Sequence, residues 1–173
     1  VLTFNGDTYR GLDVTTLSIE DLQYAQNNLG ILSGLYGILR PLDLIQPYRL
    51  EMGTRLKTQR GNNLYSFWGN RITETINDYL AQSESSILVN LASNEYFKSV
   101  SKKEIRGKVI TPHFKEIKNE TPKVVGFFAK RARGMMARYV IKNRRRNPEQ
   151  LRSFTEGNYQ FDSDLSDSTN WVF

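Results

Sequence analysis

The side chains with most to offer chemically lie between Lys123 and Arg152, where ten basic residues accompany a single acid. Phe128, Ala132, Met135, Met136 and Tyr139 recur there at helical spacing, so the segment reads as an amphipathic helix. At 100° per residue, Arg131, Arg138, Lys142 and Arg145 fall on one stripe about 60° wide beside that apolar face, and Lys130 and Arg133 add further charge. Such a rod of positive charge can hold phosphates, releasing counterions so that binding weakens with salt. The plain alternative is a solvated basic face. Gly134 inside the helix costs about 1 kcal/mol relative to Ala, which points to the close approach of another backbone or a ligand, with a chance surface glycine as the competing reading.

A second constellation runs from Leu32 to Asp43, with Gly34 and Gly37 spaced G-x-x-G ahead of Arg40. Glycines three apart between apolar flanks permit a tight hairpin whose N–H groups can face a phosphate, with Arg40 supplying charge. The spacing is neither that of a P-loop nor that of a common helix-hairpin-helix, so a structural turn competes. A third lies at Asn90, Ser93, Glu95 and Lys98, where an apolar run, Ile87–Leu91, delivers polar groups to a helix start. With Tyr48, Arg49 and Glu51 these residues form a conceivable pocket, Glu95 acting as general acid or base and Lys98 or Arg49 holding an anion. The competing reading is helix capping and structural ion pairing.

Other chemistries are excluded. There is no cysteine and only one histidine, His113, so thiolate sites, histidine pairs and catalytic triads cannot be assembled. The run Asp162–Asp167 lacks the Gly and Glu of a calcium loop and reads as an acidic hairpin loop. No metal and no cofactor is expected.

The elements that must position these groups follow from local signals. Ser18 and Asp21 suggest a capping box opening a helix to about Asn28. Leu29 to Leu39, with three glycines, reads as alternating helix and turn before Pro41. One amphipathic helix is expected from Ser66 to Leu80 and a buried strand over Ile87–Leu91, with Ser93 or Asn94 capping a short helix. Val109–Ile117 and Lys123–Phe128 suggest a hairpin with a five-residue loop, Lys118–Pro122. Pro148 opens a short helix, and Tyr159–Phe161 with Trp171–Phe173 suggest a closing strand pair. The result is an α+β fold: one domain over residues 1–173, with a mixed sheet flanked by helices.

The composition agrees: 173 residues, 39% hydrophobic, 12% aromatic and 24% charged, enough for one core without disulfides. The net charge of +6 is less than the excess carried by Lys123–Arg152 alone, which favours an anionic partner, most simply nucleic-acid phosphate, over a merely solvated face. No apolar run reaches the 18 or so residues a membrane span needs, so no membrane partner is expected. The chain begins at Val1 without Met or a secretory pattern, which predicts a cytoplasmic protein with a processed or shortened start.

Six blocks together say more than any spacing. Phe4 to Leu12, Leu32 to Asp43, Pro47 to Gly53, Phe67-Trp68-Gly69, Asn90 to Val100 and Phe128 to Arg138 closely resemble, in order, the YaaA family of bacterial peroxide-stress proteins. The resemblance implies a cytosolic protein that binds DNA, protects against hydrogen peroxide and is associated with limiting free intracellular iron. It also implies a compact fold with a basic cleft and a helix-hairpin-helix-like element, placed here around Gly34 to Pro41. The family's amino-terminal portion, with its Ser-Pro-Ala-Lys-Thr motif, has no counterpart, so the chain is expected to be the carboxy-terminal two thirds. Three functions compete: DNA binding through Lys130, Arg131, Arg133, Arg138, Lys142 and Arg145, with Arg40 and Arg49 opposite; an enzyme on nucleic acid or a nucleotide at Asn90, Ser93, Glu95 and Lys98; and iron sequestration, disfavoured for want of ligands.

Overall fold

The structure, a computed structural model, describes residues 1–118 and 121–173. Helix α1 (Asp7–Leu12) has Asp7 in its first turn, where the helix dipole favours an acid, and ends at Asp13 in the left-handed region, φ 48°. Helix α2 (Ile19–Asn28) starts at the expected capping box: Ser18 Oγ accepts from the Asp21 N–H while Asp21 Oδ2 accepts from the Ser18 N–H. The glycine-rich stretch departs from expectation. Strands β1 (Ile31–Ser33) and β2 (Gly37–Leu39) pair antiparallel, Ile31 opposite Leu39, and alternate residues are buried. Gly34 to Pro41 is therefore the turn and return strand of a β-hairpin rather than a helix-hairpin-helix-like element. Period-two burial of so short an apolar run favours strand over helix.

The helix expected from Ser66 is two helices. Asn63 caps α3 (Leu64–Trp68), and Gly69, at φ 51°, separates it from α4 (Arg71–Gln82). Strand β3 (Ile87–Val89) leads to α5 (Asn94–Phe97), capped by Ser93 as anticipated. Strand β4 (Lys108–His113) follows, then β5 (Glu116–Lys118), which pairs antiparallel with β6 (Thr121–Lys123). This hairpin holds Lys118 and Thr121–Pro122 in its strands rather than in a loop; the middle of the expected loop, Asn119 and Glu120, lies outside the described residues. The second strand stops at Lys123, because α6 (Gly126–Asn143) has already begun by Phe128. A 3₁₀ helix over Pro148–Ser153, capped by Asn147, precedes β7 (Asn170–Val172).

Strand β4 lies between β3 and β7, parallel to both. The anticipated closing pair reduces to one antiparallel bridge, Asp162 to Val172. Small sheets flanked by helices make up a single α+β domain. Helix α6 joins two parts of the core: Ala129, Ala132 and Met136 pack with Ile110, Phe114, Phe154 and Trp171, while Ala137 and Ile141 pack with Leu12, Ala25, Ile31 and Leu39. A third cluster, around Met52, Ile72 and Ile76, underlies α3 and α4. Helices α1 and α6 cross backbone to backbone. A Cβ at Gly134 would overlap the Thr8 carbonyl, and one at Gly11 would overlap that of Arg131. The close approach signalled by Gly134 is that of α1.

Candidate functional site

The basic stripe on α6 does not face solvent as a unit. Arg138 Nη1 donates to the carbonyls of Leu12 (3.2 Å) and Asp13 (3.0 Å), closing the end of α1. Lys142 Nζ and Arg144 Nη2 each lie 2.9 Å from an oxygen of Asp21. That carboxylate is buried, and the Lys142 hydrogen bond, against the opposing effect of burial, leads the causes that hold its pKa near 2. Arg145 sits 5.2 Å from the Tyr139 ring and donates to its hydroxyl at 3.1 Å. Arg146 pairs with Glu84 and Arg152 with Glu149. Of the four stripe residues, only Arg131 has no side-chain hydrogen bond or ion pair among the described residues.

The amino-terminal half of α6 differs. Lys123, Lys130 and Arg131 are exposed, and beside them Phe127 and Phe128 are 52% and 49% exposed. Arg133 is half-buried between Ala129 and Ala137, one turn away on either side and both buried, and burial draws its pKa down. Among the described residues no carboxylate pairs with it. A crevice of about 340 Å³ runs beside Phe128, Arg131 and Met135. Its far wall holds Tyr159, whose hydroxyl donates to Glu116 and whose pKa is raised first by burial and then by that carboxylate.

At the polar strand end each predicted side chain has a local task. The buried Asn90 accepts from the Ala92 N–H at 3.0 Å and lies 3.5 Å from Thr111 Oγ1. Ser93 Oγ accepts from the Tyr96 N–H, capping α5. Glu95 Oε1 accepts from the Gly53 N–H at 2.9 Å, and Lys98 Nζ lies 5.2 Å from the Tyr65 ring. Glu95 forms no ion pair with Lys98 or Arg49 among the described residues, and Arg49 is exposed. The turn 50–53 and α5 are thus joined, but through a main-chain contact.

Sequence reasoning named Tyr48 but missed the other phenols gathered beside this junction. Ser33, fully buried, lies 2.5 Å from the Tyr48 hydroxyl, and Tyr9 stacks on Phe4 with centroids 4.9 Å apart. Burial, followed by Tyr48 and Tyr96, raises the Tyr9 pKa far above the ordinary phenol value. Burial also raises that of Tyr96, assisted by Glu95, Tyr48 and Glu51. Protonated phenols are donors at neutral pH, so the cluster can orient an acceptor rather than act as a base. Nine tyrosines in the chain were the one available signal.

Residues 1–165 match the family described as peroxide stress protein YaaA. The chain belongs to that family. A UPF0246 protein of Colwellia psychrerythraea is 52% identical over 173 residues, covering 100% of this chain and 67% of the relative. One from Neisseria meningitidis serogroup B is 54% identical over the same coverage, and one from Pseudoalteromonas translucida is 56% identical over 166 residues, 96% of this chain and 64% of the relative. The YaaA family match takes in nearly the whole of this chain, beyond the six blocks that first suggested it.

The remaining family block, the Gly34–Gly37 turn, is packed against protein. A Cβ at Gly34 would overlap the Leu50 carbonyl, while Gly37, at φ 77°, lies under the Trp68 ring, whose Nε1 donates to the Gly34 carbonyl at 3.0 Å. Arg40 pairs with Asp43 at 3.2 Å. Among the described residues no group of three or more His, Asp or Glu side chains is placed to hold a metal, and no helix is long and apolar enough to cross a membrane.

Proposed function

We propose that this YaaA-family protein acts in the cytoplasm by binding double-stranded DNA, and that occupancy of the duplex limits damage linked to free iron. The footprint is the amino-terminal half of α6: Lys130, Arg131 and Arg133, with Lys123 beside them. One observation carries this reading. Lys130, Arg131 and Arg133 form no ion pair among the described residues, although Glu116 lies opposite Lys123 and across the crevice from Arg131, and they sit beside exposed Phe127 and Phe128, whereas Arg138, Lys142 and Arg145 have internal partners. Gly34, Gly37 and Arg40 are left with structural tasks, and Arg49 is a peripheral contact. Three phosphate contacts give a salt slope of about −2.7, hence about fortyfold weaker binding on raising salt from 50 to 200 mM. Salt-titrated anisotropy on duplex DNA tests this. Lys130→Glu with Arg131→Glu should weaken binding far more than Lys102→Glu with Lys103→Glu; equal losses would leave only the overall field and remove the footprint.

A second reading is an enzyme on nucleic acid or a nucleotide at Asn90, Ser93, Glu95 and Lys98. The phenol of Tyr96 beside Glu95, held protonated by burial and by that carboxylate, favours it, since it supplies a donor next to a carboxylate.

A further inference from the structure

A second group of cations lies away from α6. Arg49, Arg55, Lys57, Arg60 and Arg71 form no ion pair among the described residues, although Glu51 and Glu74 are close to them in sequence. Two of the five, Arg60 and Arg71, line one crevice of about 470 Å³ with Thr58, Gln59 and Phe67, and its lining contains no acid. The guanidinium carbons of Arg60 and Arg71 lie 5.6 and 5.0 Å from the Phe67 ring centroid.

The local fold keeps these charges in place without neutralising them. Arg71 donates from Nε to the Trp68 carbonyl at 3.2 Å and from Nη2 to the Phe67 carbonyl, fastening the end of α3. A guanidinium has five N–H donors, so three remain, and neutral carbonyls leave its full charge. Arg60 is held at the opposite wall by the Thr58–Gly61 turn, in which its N–H donates to Thr58 Oγ1 at 3.1 Å. Asn70, which precedes α4, bonds to Glu104 instead of capping that helix, and Glu74 stands in its first turn, so both acids lie outside the crevice lining.

We infer that the crevice between Arg60 and Arg71 binds a phosphoryl group, carried either by a small phosphate or by a nucleic-acid backbone. Two forked guanidiniums steadied on an aromatic ring, with no carboxylate in the crevice lining, match a tetrahedral oxyanion better than a cationic or apolar ligand. The site is independent of the α6 footprint.

Equilibrium dialysis with radiolabelled inorganic phosphate, and anisotropy with a short labelled oligothymidylate, test it at constant ionic strength. Arg60→Ala is the probe, because Arg60 is exposed and its main-chain bond survives; an unchanged melting temperature checks the fold. Saturable phosphate binding weakened about fivefold in Arg60→Ala, and partly restored in Arg60→Lys, supports a small-phosphate site. The same pattern for oligothymidylate alone assigns the source to backbone phosphate. The loss caused by Arg60→Ala should be the same in an Arg131→Glu background, whatever Arg131→Glu alone does to oligothymidylate binding, so failure of the α6 reading is seen separately. Absence of binding to both probes, or equal binding by the parent and Arg60→Ala, overturns the inference.

Discussion

Replacing Asp21 by Asn isolates the ion cluster that neutralises the end of α6. An Asn oxygen still accepts from the Ser18 N–H, so the capping box persists while the charge is lost. Asp21 falls from 3.8 to about 2 in the folded protein, and at 1.36 kcal/mol per pH unit that difference contributes about 2 kcal/mol at neutral pH. Lys142 and Arg144 are 45% and 39% exposed, so they regain water when the acid is lost. The loss therefore stays near that value, below the 3–5 kcal/mol typical of breaking a fully buried pair. The sign follows from the depressed pKa: the contribution is complete above the ordinary Asp range and fades as pH falls from about 4 toward 2. Urea unfolding of parent and variant should show a gap of about 2 kcal/mol at pH 7, about half of it at pH 3 and little at pH 2. The same variant leaves two cations without their acid, so its DNA binding should strengthen and its salt slope steepen. A gap that is absent at pH 7, or unchanged at pH 3, would refute the assignment of Asp21 as their partner.

Gly134→Ala should destabilise the protein by about 2 kcal/mol or more, despite the better helix propensity of Ala, because its methyl meets the Thr8 carbonyl; denaturant midpoints measure it. Ser33→Ala strips the Tyr48 hydroxyl and the Tyr36 N–H of a buried partner and should cost about 1–3 kcal/mol in the same assay. Glu95→Gln keeps an acceptor for the Gly53 N–H, so melting temperature and DNA affinity should hold. Loss of peroxide protection in cells carrying that variant would favour the enzyme reading, and full protection would remove Glu95 from catalysis.

What could be read from the chain was local. The Ser18 box, the Ser93 cap and the apolar face of α6 from Ala132 to Tyr139 each depend on residues within a turn or two and stand in the fold, while Phe128, expected on that face, is exposed. The failures involve distant partners. Nothing near α6 announces that Lys142 meets Asp21, 121 residues away, or that Arg138 reaches Asp13, 125 residues away. The Gly34–Gly37 turn was open to a phosphate-binding reading because Leu50 and Trp68, which cover it, are also remote. The Arg60–Arg71 crevice left no run of charge to notice: its two cations lie in different elements and converge only through the Phe67 ring.

The crossing of Gly11 with Gly134 bears on how the chain is made. Six residues are too few for α1 to persist alone, since an isolated helix of that length cannot offset the cost of nucleation. Its stability comes from α6, and that helix is more than a hundred residues further along. At cellular synthesis rates of about 5–20 residues per second, α1 emerges from the ribosome on the order of ten seconds before its partner exists. For that interval Leu12 and Val14 have only the near part of their core, Ala25, Ile31 and Leu39, without Ala137 and Ile141, and Arg138 is not yet there to close the helix end. The vulnerable period for this protein is thus its own translation, when α1 is accessible to chaperones and proteases.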